Sequence, residues 1–188
     1  VAHFYQTVNV IDTTAPVFVE YGESQTIECT MTVPAPMASA TDICDEEVTI
    51  TSSDVITAGD CPQTYTITRT YTATDDCGNV ATAVQTINVV DTTAPEFTFV
   101  PDSNEYSCDE ALPLDVATAA DNCGDAEVTS FDQIIEGDCP QAYTLIRTWV
   151  ATDACGNSSE AQTTYYVYDN QAPVFTTVLT DVVVECAS

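Results

Sequence analysis

The sequence predicts an all-β protein in which small antiparallel β-sandwich domains follow one another in tandem. Two observations support this. Apolar and polar residues alternate over short stretches rich in Thr, Val, Ile and Tyr, and Pro, Gly and Asp turns separate these stretches. A nine-residue motif and a set of four cysteines also recur at a nearly constant step. Because no stretch has a helical period, we expect short strands packed as sandwiches.

The motif defines the repeat. It occurs as VIDTTAPVF at 10–18, VVDTTAPEF at 89–97 and VYDNQAPVF at 167–175, so its aspartate recurs at steps of 79 and 78 residues. We therefore predict two complete repeats with an incomplete one at each end. The predicted units are the last strand of a preceding repeat at 1–12, repeat 1 at 13–91, repeat 2 at 92–169, and the first strands of a following repeat at 170–188.

Residues 64–74 have the clearest strand pattern. Every even position is Thr, and the odd positions are Tyr65, Ile67, Arg69, Tyr71 and Ala73. The matching face of the second repeat carries Tyr143, Leu145, Arg147, Trp149 and Ala151. We expect these faces to be buried. Further strands are expected at 15–20, 25–32, 47–57 and 80–90, with equivalents one step on.

Arg69 and Arg147 are the only Lys or Arg residues and occupy the same position of the two repeats. Inward-facing residues flank both, so we expect structural arginines that pack on aromatic rings and pair with one carboxylate. The alternative is a pair of ligand-binding hooks. The threonine row on the opposite face is expected to be an ordinary solvent-facing surface, with ice or sugar binding as its alternative.

The net charge of −28 comes from 30 acidic and 2 basic residues. Such a surface repels phosphate backbones and anionic lipids, which argues against nucleic acid and membrane partners. No window of about 20 residues is unbroken and apolar, so we expect no membrane insertion in this segment. The 45% hydrophobic content allows a buried core and distinguishes the chain from a disordered acidic tail.

Nine cysteines accompany a single histidine, a composition that favours disulfides over zinc and an oxidising, extracellular setting. The cysteines keep the step of the repeat: Cys29, Cys44, Cys61 and Cys77 correspond to Cys108, Cys123, Cys139 and Cys155. Cys186 continues the series from Cys108 and lacks a partner within its own repeat. No CxxC occurs, and a redox thiolate needs a nearby cation, so redox catalysis is disfavoured.

Two acidic turns recur at the same step. If the strands follow an Ig-like order, ATDIC (40–44) and ATDDCGN (73–79) return to the end at which the chain enters the domain, as do AADNC (119–123) and ATDACGN (151–157). Carboxylates from the linker and from both turns then converge. They are Asp12, Asp42 and Asp75 in repeat 1, Asp91, Asp121 and Asp153 in repeat 2, and Asp169 in the last linker. Converging carboxylates repel one another unless a cation such as Ca²⁺ neutralises them. The alternative is an acidic surface that serves solubility.

The DxxAPxF junctions and AxDxxGN turns resemble the hyalin-repeat (HYR) type of Ig-like module, found in tandem in bacterial surface proteins. They resemble cadherin repeats more loosely, through DNQAPVF at 169–175. The HYR resemblance implies an extracellular adhesin or filament, and the cadherin resemblance implies calcium at the linkers. The four cysteines per unit and the shorter linker depart from cadherins.

With the same assumed topology, we expect disulfides within each unit. Cys44 and Cys77 lie in the two acidic turns, and Cys29 and Cys61 lie toward the opposite end. The expected pairs are Cys44–Cys77, Cys29–Cys61, Cys123–Cys155 and Cys108–Cys139. Four cysteines allow three pairings per unit, so this choice depends on the topology.

We therefore expect a non-enzymatic structural segment of an extracellular, calcium-stiffened stalk or filament of a bacterial surface adhesin. Its partners are neighbouring repeats of the same or an identical chain, and a host or surface glycan or protein. The alternative is a glycan- or protein-binding module, for which Tyr165, Tyr166 and Tyr168 form the one local aromatic concentration. An enzyme is disfavoured because His3 is the only histidine and the acidic pairs recur at each junction.

Overall fold

The computed structural model describes residues 3–139 and 141–175. Within them the chain forms twelve β-strands and no helix, which confirms the predicted all-β class. The first strand set comprises β1 (Val17–Tyr21), β2 (Gln25–Glu28), β3 (Ala38–Thr41), β4 (Thr49–Ala58), β5 (Tyr65–Thr74) and β6 (Val80–Val90). The second comprises β7 (Glu96–Phe99), β8 (Asn104–Ser107), β9 (Thr118–Ala120), β10 (Ala126–Glu136), β11 (Tyr143–Asp153) and β12 (Ser158–Tyr168). A search of the described residues for a helix long and apolar enough to cross a membrane finds none.

Both strand sets have the same topology. A four-stranded sheet has the order β2-β6-β5-β4 in the first set and β8-β12-β11-β10 in the second, and a two-stranded sheet joins β1 to β3 or β7 to β9. The prediction of antiparallel sheets is correct for every pair but one in each set. β2 runs parallel to β6, and β8 runs parallel to β12. In both pairs the two strands run toward the end at which the chain leaves the set.

The small sheet lies against the four-stranded sheet in the first set. The Tyr21 ring lies 6.2 Å from that of Tyr71, and Gln85 Nε2 donates a hydrogen bond of 2.8 Å to the Glu23 carbonyl. Gly22 allows this close approach, because a Cβ there would lie 2.6 Å from the Gln85 side chain. The Tyr71 hydroxyl, 2.9 Å from Gln85 Oε1, completes a buried polar link between the sheets.

The second set builds the same link from different residues. Trp149 Nε1 donates to Thr163 Oγ1 at 2.9 Å, and the Thr163 hydroxyl donates to the Pro101 carbonyl at 2.9 Å. Trp149 and Thr163 occupy the positions of Tyr71 and Gln85, and Pro101 occupies that of Gly22, one residue before Glu23, whose carbonyl accepts in the first set. A hydrogen-bonded link between the sheets is therefore kept although the residue types change and the acceptor shifts by one position. Buried polar groups of this kind are tolerated because each has its partner.

The predicted core faces are confirmed for most of their residues. Ile67 is 4% exposed, Tyr71 1% and Ala73 0%, and their counterparts Leu145, Trp149 and Ala151 are also buried. Tyr65, Tyr143 and Arg147 are half-buried. Alternation reveals these faces because successive side chains of a strand point to opposite sides of the sheet. At one end of the first core Ile27 of β2 packs with Ile67 of β5 and with residues of β6.

Two strands escaped prediction, β3 and β9. They are four and three residues long and consist of Ala, Ser and Thr, so they carry no alternating signal. Residues 3–16 precede β1 without secondary structure, and Phe4 and Tyr5 there are exposed. The assignment of 1–12 to a preceding repeat, like the other domain boundaries, stays a prediction. Cys186 and most of the predicted segment 170–188 lie outside the described residues.

Candidate cation site at the junction of the strand sets

The linker between the two strand sets enters an acidic cleft. Asp91 directly follows β6, Asp121 follows β9, and Asp153 is the last residue of β11. These three side chains, together with Asp125, line a cavity of about 200 Å³. The structure thus brings together the three carboxylates that the sequence assigns to this junction and adds Asp125, which we did not predict.

The carboxylates at this junction repel one another. Burial raises the pKa of the Asp91 carboxyl, the Thr93 amide opposes that rise, and the charges of Asp121, Asp153 and Glu28 add to it. Three neighbouring negative charges therefore disfavour the ionised form of Asp91. A cation in the cleft would reverse this effect.

Each aspartate also has a local structural role. One oxygen of Asp91 accepts a hydrogen bond from the Thr93 amide at 3.2 Å, and one oxygen of Asp121 accepts one from the Cys123 amide at 2.7 Å. Asp153 Oδ1 accepts from the amides of Cys155 and Asn157. Turns of this type explain an aspartate at each position without any ligand. The second oxygens of Asp91 and Asp121 take no part in these turns, whereas Asp153 Oδ2 accepts a hydrogen bond from the Asn157 side chain at 2.8 Å.

The carboxylate oxygens at this junction are suitable ligands for a hard cation. Asp121 Oδ1 is buried and, among the described residues, has no hydrogen-bond partner. Ligand atoms of Asp91 and Asp153 lie within 4.8 Å of each other, as do those of Asp91 and Glu28. Sulfur atoms of Cys155 and Cys123 fall in the same groups, but both cysteines are in disulfides and do not supply thiolates. The available donors are carboxylate oxygens, which suit Ca²⁺ better than zinc.

The entry end of the first set has the same arrangement. Ligand atoms of Asp12, Asp42 and Cys44 lie within 4.8 Å of one another. Asp12 Oδ2 is buried and lacks a hydrogen-bond partner among the described residues, while Asp12 Oδ1 accepts from the Thr14 amide at 2.9 Å. Asp42 Oδ1 accepts from the Cys44 amide at 2.8 Å. The predicted clustering of Asp12 and Asp42 is therefore present at this end too.

Asp75 and Asp169 lie outside the metal-capable groups found in the described part of the chain. Both oxygens of Asp75 accept hydrogen bonds from Asn79, each of 2.7 Å, just as both oxygens of Asp153 accept from Asn157, but among the described residues only Asp153 of these two is grouped with a second carboxylate ligand. Asp169 Oδ1 accepts from the Gln171 amide at 2.9 Å. Asp169 belongs to none of the metal-capable groups found among residues 3–139 and 141–175.

Asn79 and Asn157 are functional residues that the sequence analysis missed. Asn157 Nδ2 donates to Asp153 Oδ2 at 2.8 Å and to the Asp91 carbonyl of the linker at 3.2 Å. Asn79 makes the same two contacts, with Asp75 and, at 3.4 Å, with the Asp12 carbonyl. The preceding glycine has a positive φ in both turns. The repeated motif DxCGN therefore forms a turn whose asparagine binds the linker. The recurrence of this asparagine in both repeats was the sequence feature that could have revealed its role.

The linker is also attached to the set that it leaves. Glu28, at the end of β2, accepts hydrogen bonds from the Thr92 amide and the Thr92 hydroxyl. The equivalent contact in the second set joins the Ser107 hydroxyl to Asn170 at 3.1 Å. The short linker is therefore fastened on both sides of Asp91.

The disulfides are the main correction. Cys29 is bonded to Cys123 and Cys61 to Cys155, with Cα–Cα distances of 5.9 and 5.2 Å. The expected pairs Cys29–Cys61 and Cys123–Cys155 are therefore wrong, and the expected pairs Cys44–Cys77 and Cys108–Cys139 are not formed among the described residues. Cys44, Cys77, Cys108 and Cys139 carry free thiols in the part of the chain that the structure describes.

The reason lies in the short linker. We call the end with the two acidic turns the upper end of a strand set, and the end where the linker departs the lower end. Cys29 and Cys61 lie at the lower end of the first set, and Cys123 and Cys155 lie at the upper end of the second. The linker brings these two ends together, so that each cysteine meets a partner across the junction.

The two arginines have structural surroundings. Arg69 makes a bidentate ion pair with Asp54 at 2.8 and 2.9 Å and donates to the Pro34 carbonyl at 2.8 Å. Arg147 makes the same bidentate pair with Asp132 and lies 5.5 Å from the centroid of the Trp149 ring. The Arg69 side chain is 4% exposed and that of Arg147 25%. Both guanidinium groups are engaged with residues of their own set.

Comparison with known proteins agrees with the motifs. Residues 17–89 match the family model of the HYR-like domain with 4 cysteines. The chain is 34% identical over 115 residues to the serine-rich adhesin for platelets of Staphylococcus aureus strain MRSA252, covering 55% of this chain and 8% of the adhesin. The same protein of strain MSSA476 has the same identity, with 5% of the adhesin covered. The chain therefore spans less than a tenth of the length of these relatives.

Among solved structures, the chain is similar to Drosophila N-cadherin EC1-4 and human protocadherin-24 EC1-2. The first has a TM-score of 0.38 and 16% identity, covering 83% of this chain and 50% of that one. The second has a TM-score of 0.35 and 16% identity, covering 84% and 99%. The HYR-like match covers the first strand set from β1 to β6 and agrees with the module that the motifs predict there.

Proposed function

We propose that this chain is a non-enzymatic, structural segment of an extracellular stalk or filament, carried by a bacterial surface adhesin. Calcium at the junctions between its repeats would stiffen that stalk. The observation that carries the proposal is the meeting of Asp91 from the linker with Asp121 and Asp153 from two turns of the next strand set. The adhesin relatives, the HYR-like match and the extracellular use of disulfides also support it.

The residues that would hold calcium at this junction are Asp91, Asp121 and Asp153, with Glu28 and Asp125 close by. At the entry end they are Asp12 and Asp42. Bound calcium would neutralise the mutual repulsion that raises the pKa of Asp91. It would couple the linker to the upper end of the following set, because its ligands come from both.

The test separates calcium from the disulfides. We expect added calcium to raise the unfolding temperature of the oxidised chain and EDTA to reverse the rise. After reduction, calcium should still decrease the spread of overall dimensions in small-angle scattering. An unfolding temperature and a scattering profile that calcium leaves unchanged, before and after reduction, would exclude the calcium joint.

A matched pair of variants identifies the ligands. Asp91→Asn and Asp102→Asn remove one negative charge each, but Asp102 is exposed and lies outside the cleft. We expect Asp91→Asn to abolish most of the calcium-dependent rise and Asp102→Asn to keep it. Equal responses would mean that calcium acts only by screening the net charge.

The alternative proposal, a glycan- or protein-binding module, rests on β12. Tyr165 is fully buried, whereas Tyr166 is 50% exposed and Tyr168 41% exposed. Two half-exposed tyrosines on one strand are a modest surface for recognition. Binding of a glycan array by the wild-type chain but not by a Tyr166→Ser, Tyr168→Ser variant would favour this module over the stalk.

A further inference from the structure

The junction disulfides join the lower cysteine pair of one strand set to the upper pair of the next. In sequence the two bonds have the same span of 94 residues. The same four positions recur in both sets, so each set has an upper and a lower pair. The upper pair of the first set is Cys44 and Cys77, and the lower pair of the second is Cys108 and Cys139. These are the four cysteines with free thiols among the described residues.

The upper end of the first set already has the contacts of a complete joint. Asn79 donates to the Asp12 carbonyl as Asn157 donates to the Asp91 carbonyl. Cys44 lies with Asp12 and Asp42, and its counterpart Cys123 lies with Asp91, the counterpart of Asp12, and with Glu28. Cys44 and Cys77 are both exposed. Neither cysteine has a bonded partner among the described residues.

The lower end of the second set is built like its bonded counterpart. The Cys108 amide donates to the Tyr168 carbonyl at 3.0 Å, as the Cys29 amide donates to the Val90 carbonyl at 2.9 Å. Cys139 lies in a turn closed by a hydrogen bond from the Gly137 amide to the Ala142 carbonyl. Cys61 lies in the same turn, closed between Gly59 and Thr64. Both thiols are thus presented at positions that form disulfides one repeat earlier.

We propose that Cys44 and Cys77 form disulfides with the lower cysteine pair of a preceding repeat of the same four-cysteine type, and that Cys108 and Cys139 bond to the upper pair of a following one. Every junction between successive repeats of such an array would carry two disulfides. Two thiols lose two protons and two electrons for each bond. A small-molecule disulfide such as oxidised glutathione accepts them and is reduced to two thiols.

The repeat that bonds to Cys44 and Cys77 belongs to the same polypeptide. The linker enters the upper end at Asp12, next to Cys44, so whichever unit is connected through Asp12 is delivered to that thiol at high effective concentration. A tethered repeat has the advantage over a second chain.

The experiment is disulfide mapping of the full-length protein in its native oxidised state. Free thiols are blocked with N-ethylmaleimide, the protein is digested without reduction, and the linked peptides are identified by mass spectrometry. We expect peptides containing Cys44 and Cys77 to be linked to a repeat that precedes residue 1, and those containing Cys108 and Cys139 to a repeat that follows. Blocked thiols at these positions, a Cys44–Cys77 link, or a link from Cys44 to Cys108 of an identical chain would overturn the proposal.

A second measurement uses matched substitutions in the full-length protein. Cys123→Ser should release one thiol at Cys29, in the preceding set. Cys44→Ser should likewise release one thiol one repeat earlier and leave Cys77 unlabelled. A new thiol at Cys77 would show pairing within the unit. The proposal rests on the proposed function only in that both require flanking repeats. The two can be tested separately, because chelating calcium leaves the disulfides in place.

Discussion

Cys61 and Cys155 are bonded to each other although they belong to different strand sets and lie 94 residues apart in the chain. Cys61 lies in the turn between β4 and β5 at the lower end of its set. Cys155 lies in the acidic turn between β11 and β12, beside the aspartates of the candidate cation site. The same turn thus carries a carboxylate, a linker-binding asparagine and a cross-link, so the covalent and the electrostatic parts of the joint depend on one another.

In the isolated chain of residues 1–188, replacing Cys61 by Ser should lower the stability, whereas replacing Cys139 by Ser should not, because the partner proposed for Cys139 belongs to a following repeat. A disulfide that closes a long loop contributes roughly 2–4 kcal/mol to the free energy of unfolding. Cys139 occupies the equivalent turn but is unbonded in the described chain, so we expect a change below about 0.5 kcal/mol. Calorimetric unfolding of the two variants measures the difference. Equal losses would mean that the turn, and not the cross-link, is responsible.

Arg69→Met should cost more stability than Arg147→Met. Arg69 is buried and bonds both oxygens of Asp54 and the Pro34 carbonyl, so its loss should cost roughly 2–3 kcal/mol. The pair of Arg147 with Asp132 is more exposed, and we expect about 1 kcal/mol. Urea denaturation gives both values. Adding Asp54→Leu to Arg69→Met should recover part of the loss because it removes the unpaired carboxylate; no recovery would contradict this explanation.

Asn157→Ala should weaken the attachment of the linker to the second strand set. The substitution removes the side-chain hydrogen bonds to Asp153 and to the Asp91 carbonyl, with an expected cost of about 1–2 kcal/mol. Asn122→Ala, at an exposed position near the same end, is the control. The change should appear in thermal unfolding and as faster amide exchange in the turn after β11. Unchanged exchange there would show that Asn157 does not hold the linker.

Acid should destabilise the protein only at low pH. The hydrogen bonds from Arg69 hold the pKa of Asp54 below its ordinary value of 3.8. Burial raises the pKa of Asp153, but hydrogen bonds from Asn157 and from the amides of Cys155 and Gly156 outweigh it and lower the value. A lowered folded-state pKa gives stability that is present above the unfolded value and lost as pH falls through the folded one. We therefore expect the loss below about pH 4.

The Asp91 carboxyl changes the pH dependence of stability in the opposite direction. Its pKa is raised, so without calcium the folded state gains protons before the unfolded state does, and stability increases slightly as pH falls toward the unfolded value. Unfolding temperatures measured from pH 7 to pH 2.5 in EDTA should show this shallow rise and then a steep fall. The Asp91→Asn variant should lack the rise. A fall that begins near pH 6 would contradict both assignments.

Local patterns predicted a large part of the fold and of the candidate site. The alternation over 64–74 identified β5 and its buried residues Ile67, Tyr71 and Ala73, because alternation is a property of a single strand. The fixed step of the DTTAP motif located the linkers, and the acidic turns placed Asp91, Asp121 and Asp153 at one junction. β3 and β9 were missed because three or four small residues carry no period, and they become strands only by pairing with β1 and β7.

The sequence by itself determined the repeat, the strands with alternating faces and the ends of the sandwich at which the cysteines and aspartates lie. Only the tertiary structure decided which cysteines are joined. Cys29 and Cys61 share one end, as expected, yet each bonds to a cysteine of the next strand set rather than to the other. The physical reason is that disulfide partners must bring their Cα atoms within about 7 Å. The Cα–Cα distance between cysteines of different strand sets depends on how one folded set packs against the next. The residue pattern within one set carries no information about that packing.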